Sequence, residues 1–441
     1  MELQALQREW RSISGLWSRR RFLQAIGAAG SSTFLARGTA WAQAPEVTLL
    51  TWSHFVPTYN PELQKLVAEW ASSRKANARV DFLSLPDLMP KLAGEAEAKR
   101  GHDIILGYNF VPALYKENLL DLDDVAEDLG KRYGPWSEIG KYLCNLDGHW
   151  KAVPWYHQSL IANINVDYWK AIGMSVEDVQ KLNWDGLLQK AKDLQKSGHP
   201  VALVTAETFD GFGSLCPVLW SMGGKAVDPK GNVVIKSSET KAALEYAKEL
   251  FPYMTRDMLG WDDSGNNKYM LSGVGSWTPN PPSIWLVSRL QKLPIADKFD
   301  HVPMPSGPQG AYRVGDSNSL AIWKFSRNID LAKDLIKFLM DKPNYDRQIA
   351  AAGGYNQSSL RQFQSNPIWK TERQLRYYEP PVEEIRAPMW PAPPNPGSQI
   401  AYNLLIVPLM FVKVVTNEMS IPDAMTWAEK QLQRIYAPYR S

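Results

Sequence analysis

The chain has 441 residues with 49 basic and 46 acidic side chains, a net charge of +3. It is long enough for two large lobes or two to three ordinary domains. The positive surplus sits at the N-terminus: residues 1–42 hold six Arg and two acidic residues, so the other 399 carry 43 basic and 44 acidic groups, a net −1. No basic field is left to hold nucleic acid or an anionic membrane, so neither is an expected partner.

The first 42 residues read as an export signal. Ser18-Arg19-Arg20-Arg21-Phe22-Leu23-Gln24 fits the twin-arginine pattern, with Gln where Lys is commoner. Small, weakly apolar residues follow over 25–36, and Ala40-Trp41-Ala42 supplies a small-x-small cleavage site. Cleavage is expected after Ala42, with the mature chain in the periplasm. Cys144 and Cys216 are the only cysteines, and neither follows the signal as in a lipoprotein. An oxidising compartment would permit a disulfide between them. The longest apolar stretch, residues 400–415, is interrupted by Asn403, Pro408 and Lys413 and falls short of the roughly 20 residues of a membrane span. It reads as a buried core helix.

After the signal, strands and helices alternate. Residues 47–52 read as a buried strand, and Asn60-Pro61 as a helix cap and first-turn proline. Leu63, Leu66, Val67 and Trp70 then recur along one helical face. Residues 79–83 return as a strand, 88–100 as a helix ended by Gly101, and 103–106 as a strand that empties into Gly107-Tyr108-Asn109-Phe110. Two strand–helix–strand units predict a largely parallel sheet. Ligands of such sheets sit beyond the carboxyl ends of the strands, here residues 53–59 and 107–111.

Further on, Asn183-Trp184 starts a helix closed by Gly198, and residues 201–205 form a strand. Ser238 caps a helix over 239–251, and Asn328 caps one with Leu331, Leu335, Ile336 and Leu339 inward. Pro422 starts the last, with Met425, Ala428, Leu432 and Ile435 on one side.

Catalytic motifs are missing. There is no P-loop, Gly211-Phe212-Gly213-Ser214 lacks the third glycine of a dinucleotide fingerprint, and no G-x-S-x-G turn occurs. The six histidines are scattered without metal-ligand spacing, so neither metal nor cofactor is expected. Asp123-Asp124 reads as a solvated helix start. Fifteen of the 18 Trp follow the signal, an excess that suits a core or a site that stacks rings on its ligand.

Several segments, in order, resemble the extracellular solute-binding proteins of family 1, the sugar-binding group that includes maltose-binding protein. Val153-Pro154-Trp155-Tyr156 with Leu160-Ile161-Ala162-Asn163-Ile164-Asn165 is similar to the family's hinge strand. Asp167-Tyr168-Trp169-Lys170-Ala171-Ile172-Gly173 and Asn183-Trp184-Asp185 match the segments that follow it. Met270-Leu271-Ser272-Gly273-Val274-Gly275-Ser276, His301-Val302-Pro303-Met304-Pro305-Ser306-Gly307-Pro308 and residues 319–340 continue the series, with Gly275 where Ala is usual. Residues 277–285 depart from the pattern in their density of Trp and Pro.

The resemblance implies the two-lobed α/β periplasmic binding protein fold with discontinuous lobes. Residues 43–155 and 303–354 would form the N-terminal lobe, and 156–302 and 355–441 the C-terminal lobe. It implies a monomeric, non-catalytic substrate-binding protein that closes on a small polar solute, a carbohydrate first, for an ABC transporter permease.

Candidate ligand residues are those on cleft loops with a ring face or a hydrogen-bonding group: Trp52, His54, Tyr108 and Asn109; Trp155, Tyr156 and His157 at the crossover; Trp261, Asp262, Asp263, Trp277, Asn280 and Ser283; and Asp316, Tyr355 and Asn356. Ser283 stands where the family brings a stacking ring, a role left to Trp277. Two other readings stay open. Aromatic faces with Asp262, Asp263 or Asp316 also suit a cationic solute such as a polyamine. An exported glycoside hydrolase would need two carboxylates at catalytic separation across the cleft.

Overall fold

The computed structural model describes residues 45–378 and 384–439. The export-signal reading of residues 1–42 lies outside the described residues. Strand β1 (Glu46–Trp52) is buried from Val47 onward, as a strand covered on both faces must be. Helix α1 (Tyr59–Arg74) buries the expected stripe of Leu63, Leu66, Val67 and Trp70 and leads to β2 (Asn77–Leu83). Asn60 is inside α1 rather than its cap; its Oδ1 accepts the backbone N–H of His54 (3.2 Å) and so fixes the turn out of β1. Helix α2 (Leu85–Ala98), capped by Ser84, and β3 (Ile104–Tyr108) complete the second unit. β1 pairs in parallel with both β2 and β3, the arrangement the alternation predicts.

A short hairpin, β4 (Asn145–Leu146) with β5 (His149–Trp150), precedes β6 (Val153–Ser159). The chain leaves the large sheet at Leu160, whose N–H bonds Val314 O (2.9 Å), and continues as β7 (Ile161–Asn165) in a second sheet. There β8 (Trp277–Asn280) and β9 (Phe299–Val302) flank β7, both antiparallel. The chain returns in β10 (Arg313–Ile322), antiparallel between β3 and β6. With β11 (Gln357–Ser358) beside β6 and β12 (Ile385–Arg386) beside the start of β10, the large sheet runs β11-β6-β10-β3-β1-β2. The fold is mixed α/β in two lobes, each built from separated stretches of chain.

Around the smaller sheet, α3 (Trp184–Lys196) is capped by Asn183 as expected, α4 (Phe209–Ser221) by Thr208, and α5 (Ser238–Leu250) by Ser237, one residue before the expected cap. Residues 201–205 are buried, but only Val201 forms a strand bridge. Their polar groups go elsewhere: Leu203 N–H points at Met254 Sδ (3.3 Å) and Thr205 Oγ1 bonds back to Leu203 O (2.8 Å). On the large sheet's side lie α6 (Ile329–Leu339) and α7 (Lys342–Ala351). Asn328, expected to cap α6, instead sends its amide to Glu46 O and Asp103, tying the helix to β1.

The chain ends in α8 (Pro396–Asn403), α9 (Ile406–Val415) and α10 (Ile421–Tyr436). By length and composition residues 396–415 pass for a membrane span, yet Leu405 at φ +52° divides them and 61% of the stretch is buried. α9 packs on α4, α5 and α10, which is the placement of a core helix.

Cys144 and Cys216 are both free and buried, and burial pushes the Cys144 thiol up to about 12. A thiol-exchange reagent at pH 8 is therefore expected to find no fast-reacting thiol in the native protein and two per chain after unfolding. A disulfide would leave none in either state.

Candidate functional site

The carboxyl ends of β1 and β3 lie side by side, and the residues just past them meet chain from the far side of the sheet. Trp52 Nε1–H donates to Tyr156 Oη (2.9 Å). The His54 ring lies 4.9 Å from both the Trp52 and Tyr355 rings. His54 Nδ1 accepts the N–H of Val56 (2.9 Å), which leaves its proton on Nε2 for Asn356 Oδ1 (2.9 Å). Burial holds His54 down to about 4, so it is neutral near pH 7.

Asn109 takes φ +50°, a left-handed conformation that Asn tolerates better than most residues. The turn aims its amide at β10: Nδ2 donates to Asp316 Oδ1 (2.8 Å) and Oδ1 accepts the N–H of Ser317 (3.0 Å). Tyr402 Oη donates to the same Asp316 oxygen (3.4 Å) and lies 3.4 Å from Tyr108 Oη. The ring of Phe209, first residue of α4, stacks on Tyr402 with centroids 4.9 Å apart.

Next to Phe209 stands Asp210. Its backbone N–H donates to Asp263 Oδ1 (3.0 Å), while its own Oδ2 is shielded from solvent with no hydrogen-bond partner among the described residues. Burial, and then the charges of Asp263 and Asp316, push the Asp210 carboxyl well above the usual range. Burial likewise lifts Asp316 to about 6 against the hydrogen bonds it receives. Burial raises Asp263 too, opposed by the backbone N–H groups of Asp210 and Phe209. Beside them, Asn266 Nδ2 donates to Asn280 Oδ1 (3.1 Å), and Asn280 Nδ2 donates to Asn267 Oδ1 and Ser283 Oγ (both 2.9 Å).

The residues expected from sequence divide accordingly. Trp52, His54, Tyr156, Tyr355 and Asn356 form one cluster, and Tyr108, Asn109 and Asp316 an adjoining one. Tyr355 feels the charges of both Asp210 and Asp316 and links the two. Asp263, Asn280 and Ser283 approach from the other lobe.

Five of the expected residues have other partners or lie elsewhere. Trp155 is fully buried and its Nε1–H donates to Gln348 of α7 (2.9 Å), so the indole packs under the helix layer. His157 Nε2 meets Ser137 Oγ (2.6 Å), and burial holds this ring down to about 3. Tyr156 reaches Trp52 directly, and the Trp155 ring packs 4.8 Å from Tyr156 and 6.3 Å from Tyr59, behind that cluster. Trp277 is buried in the core of the small sheet. Trp261 and Asp262 line a shallow surface groove of about 330 Å³ with Asp257, Lys268 and Tyr269, and Asp262 pairs with Lys268.

The sequence reading missed Phe209, Asp210 and Tyr402. The first two had a signal: residues 201–205 read as a strand, and the segment past its carboxyl end was the place to look. Tyr402 had none, because only the packing of α8 brings it to Asp316. Among the described residues, no group of three or more His, Cys, Asp and Glu could hold a metal ion.

Two α/β lobes with rings, amides and carboxylates converging where they meet define a two-lobed binding protein of the periplasmic kind. The chain belongs to the bacterial extracellular solute-binding protein family, whose model matches residues 74–375. Among solved structures it is similar to maltose-bound MalE3 of T. maritima (19% identity, 89% of this chain and 100% of that one, TM-score 0.77). The GacH receptor of Streptomyces glaucescens GLA.O is similar over 90% of this chain and 99% of that one (16% identity, TM-score 0.75). A sugar transporter from Arthrobacter chlorophenolicus A6 is similar over 89% and 99% (13% identity, TM-score 0.76). Among curated protein sequences none matches.

Two outcomes follow from this geometry. Trp155→Ala, which removes a core indole, should destabilise the protein by about 3–5 kcal/mol in denaturant titration. Asp316 holds a proton when folded that the unfolded chain, at its ordinary 3.8, gives up between about pH 4 and 6. Stability from this group therefore falls as pH rises through that window. Asp316→Asn should be more stable than the parent at pH 7, by about 1–3 kcal/mol, with the difference shrinking toward pH 4. A constant difference across that range would refute the assignment.

Proposed function

We propose that this protein is the substrate-binding component of an ABC importer. It is exported to the periplasm by the twin-arginine route, takes a carbohydrate between its lobes and delivers it to the permease without making or breaking a bond. The observation that carries the reading is the convergence of Asn109 and Asp316, held by the large sheet, with Tyr402, Phe209 and Asp210, where Asp210 Oδ2 lacks a partner. Carboxylate and amide oxygens accept from sugar hydroxyls, and ring faces cover the C–H face of a pyranose. The maltose, acarbose and laminaribiose named with the similar structures support a carbohydrate.

On this reading the ligand set is Trp52, His54, Tyr108, Asn109, Tyr156, Phe209, Asp210, Asp263, Asp316, Tyr355, Asn356 and Tyr402. The lobes divide at strand ends: at Leu160 between β6 and β7, ahead of Arg313 where β10 begins, and after β11. Few backbone crossings join them, which suits hinge closure around a ligand.

The test is mass spectrometry of any small molecule that co-purifies, followed by sugar titrations read by tryptophan fluorescence and thermal shift. A bound sugar should be recovered unaltered, and at 100 times its Kd it should stabilise the fold by about 2.7 kcal/mol. Phe209→Ala should weaken binding about tenfold and Trp261→Ala less than twofold. If no sugar stabilises the protein, the proposal fails.

A further inference from the structure

The three carboxylates at the site, each partly buried, differ from the buried acids described in this protein. Asp300, fully buried on β9, is paired with Arg373 and Arg376. Glu95 receives the His102 ring (2.6 Å), the His102 N–H (3.2 Å) and the Trp323 indole N–H (3.1 Å). Asp103 receives the N–H and hydroxyl of Thr48 and the Ser326 hydroxyl. Where the fold buries a negative charge for its own sake, it supplies a cation or a full set of donors.

At the site it supplies donors to Asp316 (Asn109, Tyr108 and Tyr402) and to Asp263 (the backbone N–H groups of Asp210 and Phe209, and Thr208), but no cation. Among the described residues no Lys, Arg or His forms an ion pair with Asp210, Asp263 or Asp316. His54, in the adjoining cluster, is neutral and committed to Asn356. The bonds from Asn109 and Tyr402 to Asp316 fall on Oδ1, and Asp210 Oδ2 has no hydrogen-bond partner among the described residues. Tyr355, 2% exposed, is raised by burial, then by Tyr378, and then by Asp210 and Asp316, and no hydrogen bond joins its hydroxyl to another described residue. A space bounded by these groups lacks positive charge, and Asp210 Oδ2 within it lacks a hydrogen-bond donor.

A neutral hydroxyl would give one proton to one oxygen and leave the like charges uncompensated in a poorly screened setting. An ammonium gives three N–H donors and the missing charge together. The stacked Phe209 and Tyr402 rings offer it a favourable face as well. A bare metal ion is the poorer match, since no three of the described His, Cys, Asp and Glu side chains are placed to hold one.

We infer, resting on the carbohydrate reading, that the solute is an amino sugar whose protonated amine lies against Asp210 Oδ2, with Asp316 and Asp263 around it and the Phe209–Tyr402 stack under its ring.

Calorimetric titration at pH 7.5 with glucosamine, galactosamine and the glucosamine dimer, against their N-acetylated forms, glucose, galactose, maltose and the linear amine putrescine, tests this. At least one free-amine sugar should bind ten times or more tighter than its N-acetyl and hydroxyl counterparts. Asp210→Asn should lower that affinity at least tenfold while raising the melting temperature of the unliganded protein, which shows that the variant folds. Neutral sugars binding as well as their aminated forms would overturn the inference and leave the carbohydrate reading standing. Putrescine binding with no sugar binding would overturn both. Failure of every aminated sugar to bind, or an Asp210→Asn variant with parental affinity, also overturns the inference.

Discussion

β10 enters the large sheet antiparallel between β3 and β6, and the rest of the molecule depends on that insertion. It arrives only after the chain has built the second sheet, so its pairing with Ile104 to Tyr108 on one side and Val153 to Ser159 on the other stitches early and late chain together. Such non-local pairing must repay the entropy of closing a long loop, and the buried run of Leu320, Ala321 and Ile322 supplies apolar burial against β3. The register with β6 shifts between Asn318 and Ser319. An irregularity of this kind re-aims the side chains beside it. Beyond it Asp316 meets Asn109, and the strand that closes the sheet also carries the carboxylate of the site.

The same strand explains why the site is electrostatically costly. Asp316 belongs to the large sheet, whereas Asp210 starts α4, and the charges of Asp263 and Asp316 raise the affinity of Asp210 for a proton or a cation. On the proposed reading, opening the lobes separates these charges and hydrates them, and closing brings them together under burial. Repulsion then weights the ligand-free protein toward the open form. A ligand can shift that balance only by as much as it favours the closed arrangement over the open one. Neutralising buried like charges is a large differential term of this kind, because it has no counterpart when the carboxylates face water.

How much of this was legible in the sequence depended on whether a residue's role was local. The α1 stripe, the cap at Asn183, and the start of α10 at Pro422 with its buried face follow from short spacings, and the sequence pattern placed them within a residue or two. The loops past β1 and β3 were found because strand–helix alternation implies a parallel sheet and such sheets bind at one end. Trp155 and His157 are committed to Gln348 and Ser137, partners distant in sequence that adjacency on one strand does not reveal. Tyr402 was illegible because its partner Asp316 is distant in sequence and their meeting is set by how α8 packs. Asp210 fell between these cases: residues 201–205 carry a strand signal, but Asp210 lies five residues past their end, at the start of α4.

Low identity with a near-complete structural match is what this division of labour predicts. The scaffold is fixed by apolar strands and by helix faces, and many sequences satisfy those requirements equally well. That is how 13–19% identity coexists with TM-scores of 0.75 to 0.77 among the three structures compared. The site is assembled from residues at strand ends and helix starts, where substitution changes charge and shape without disturbing the pairing that holds the lobes. Similarity of fold therefore carries little information about the solute, and the balance of charge within the site carries more. Carboxylates that a fold brings together without compensation are tolerated only where something else supplies the difference. In a family that binds solutes, the ligand is the group available to do so.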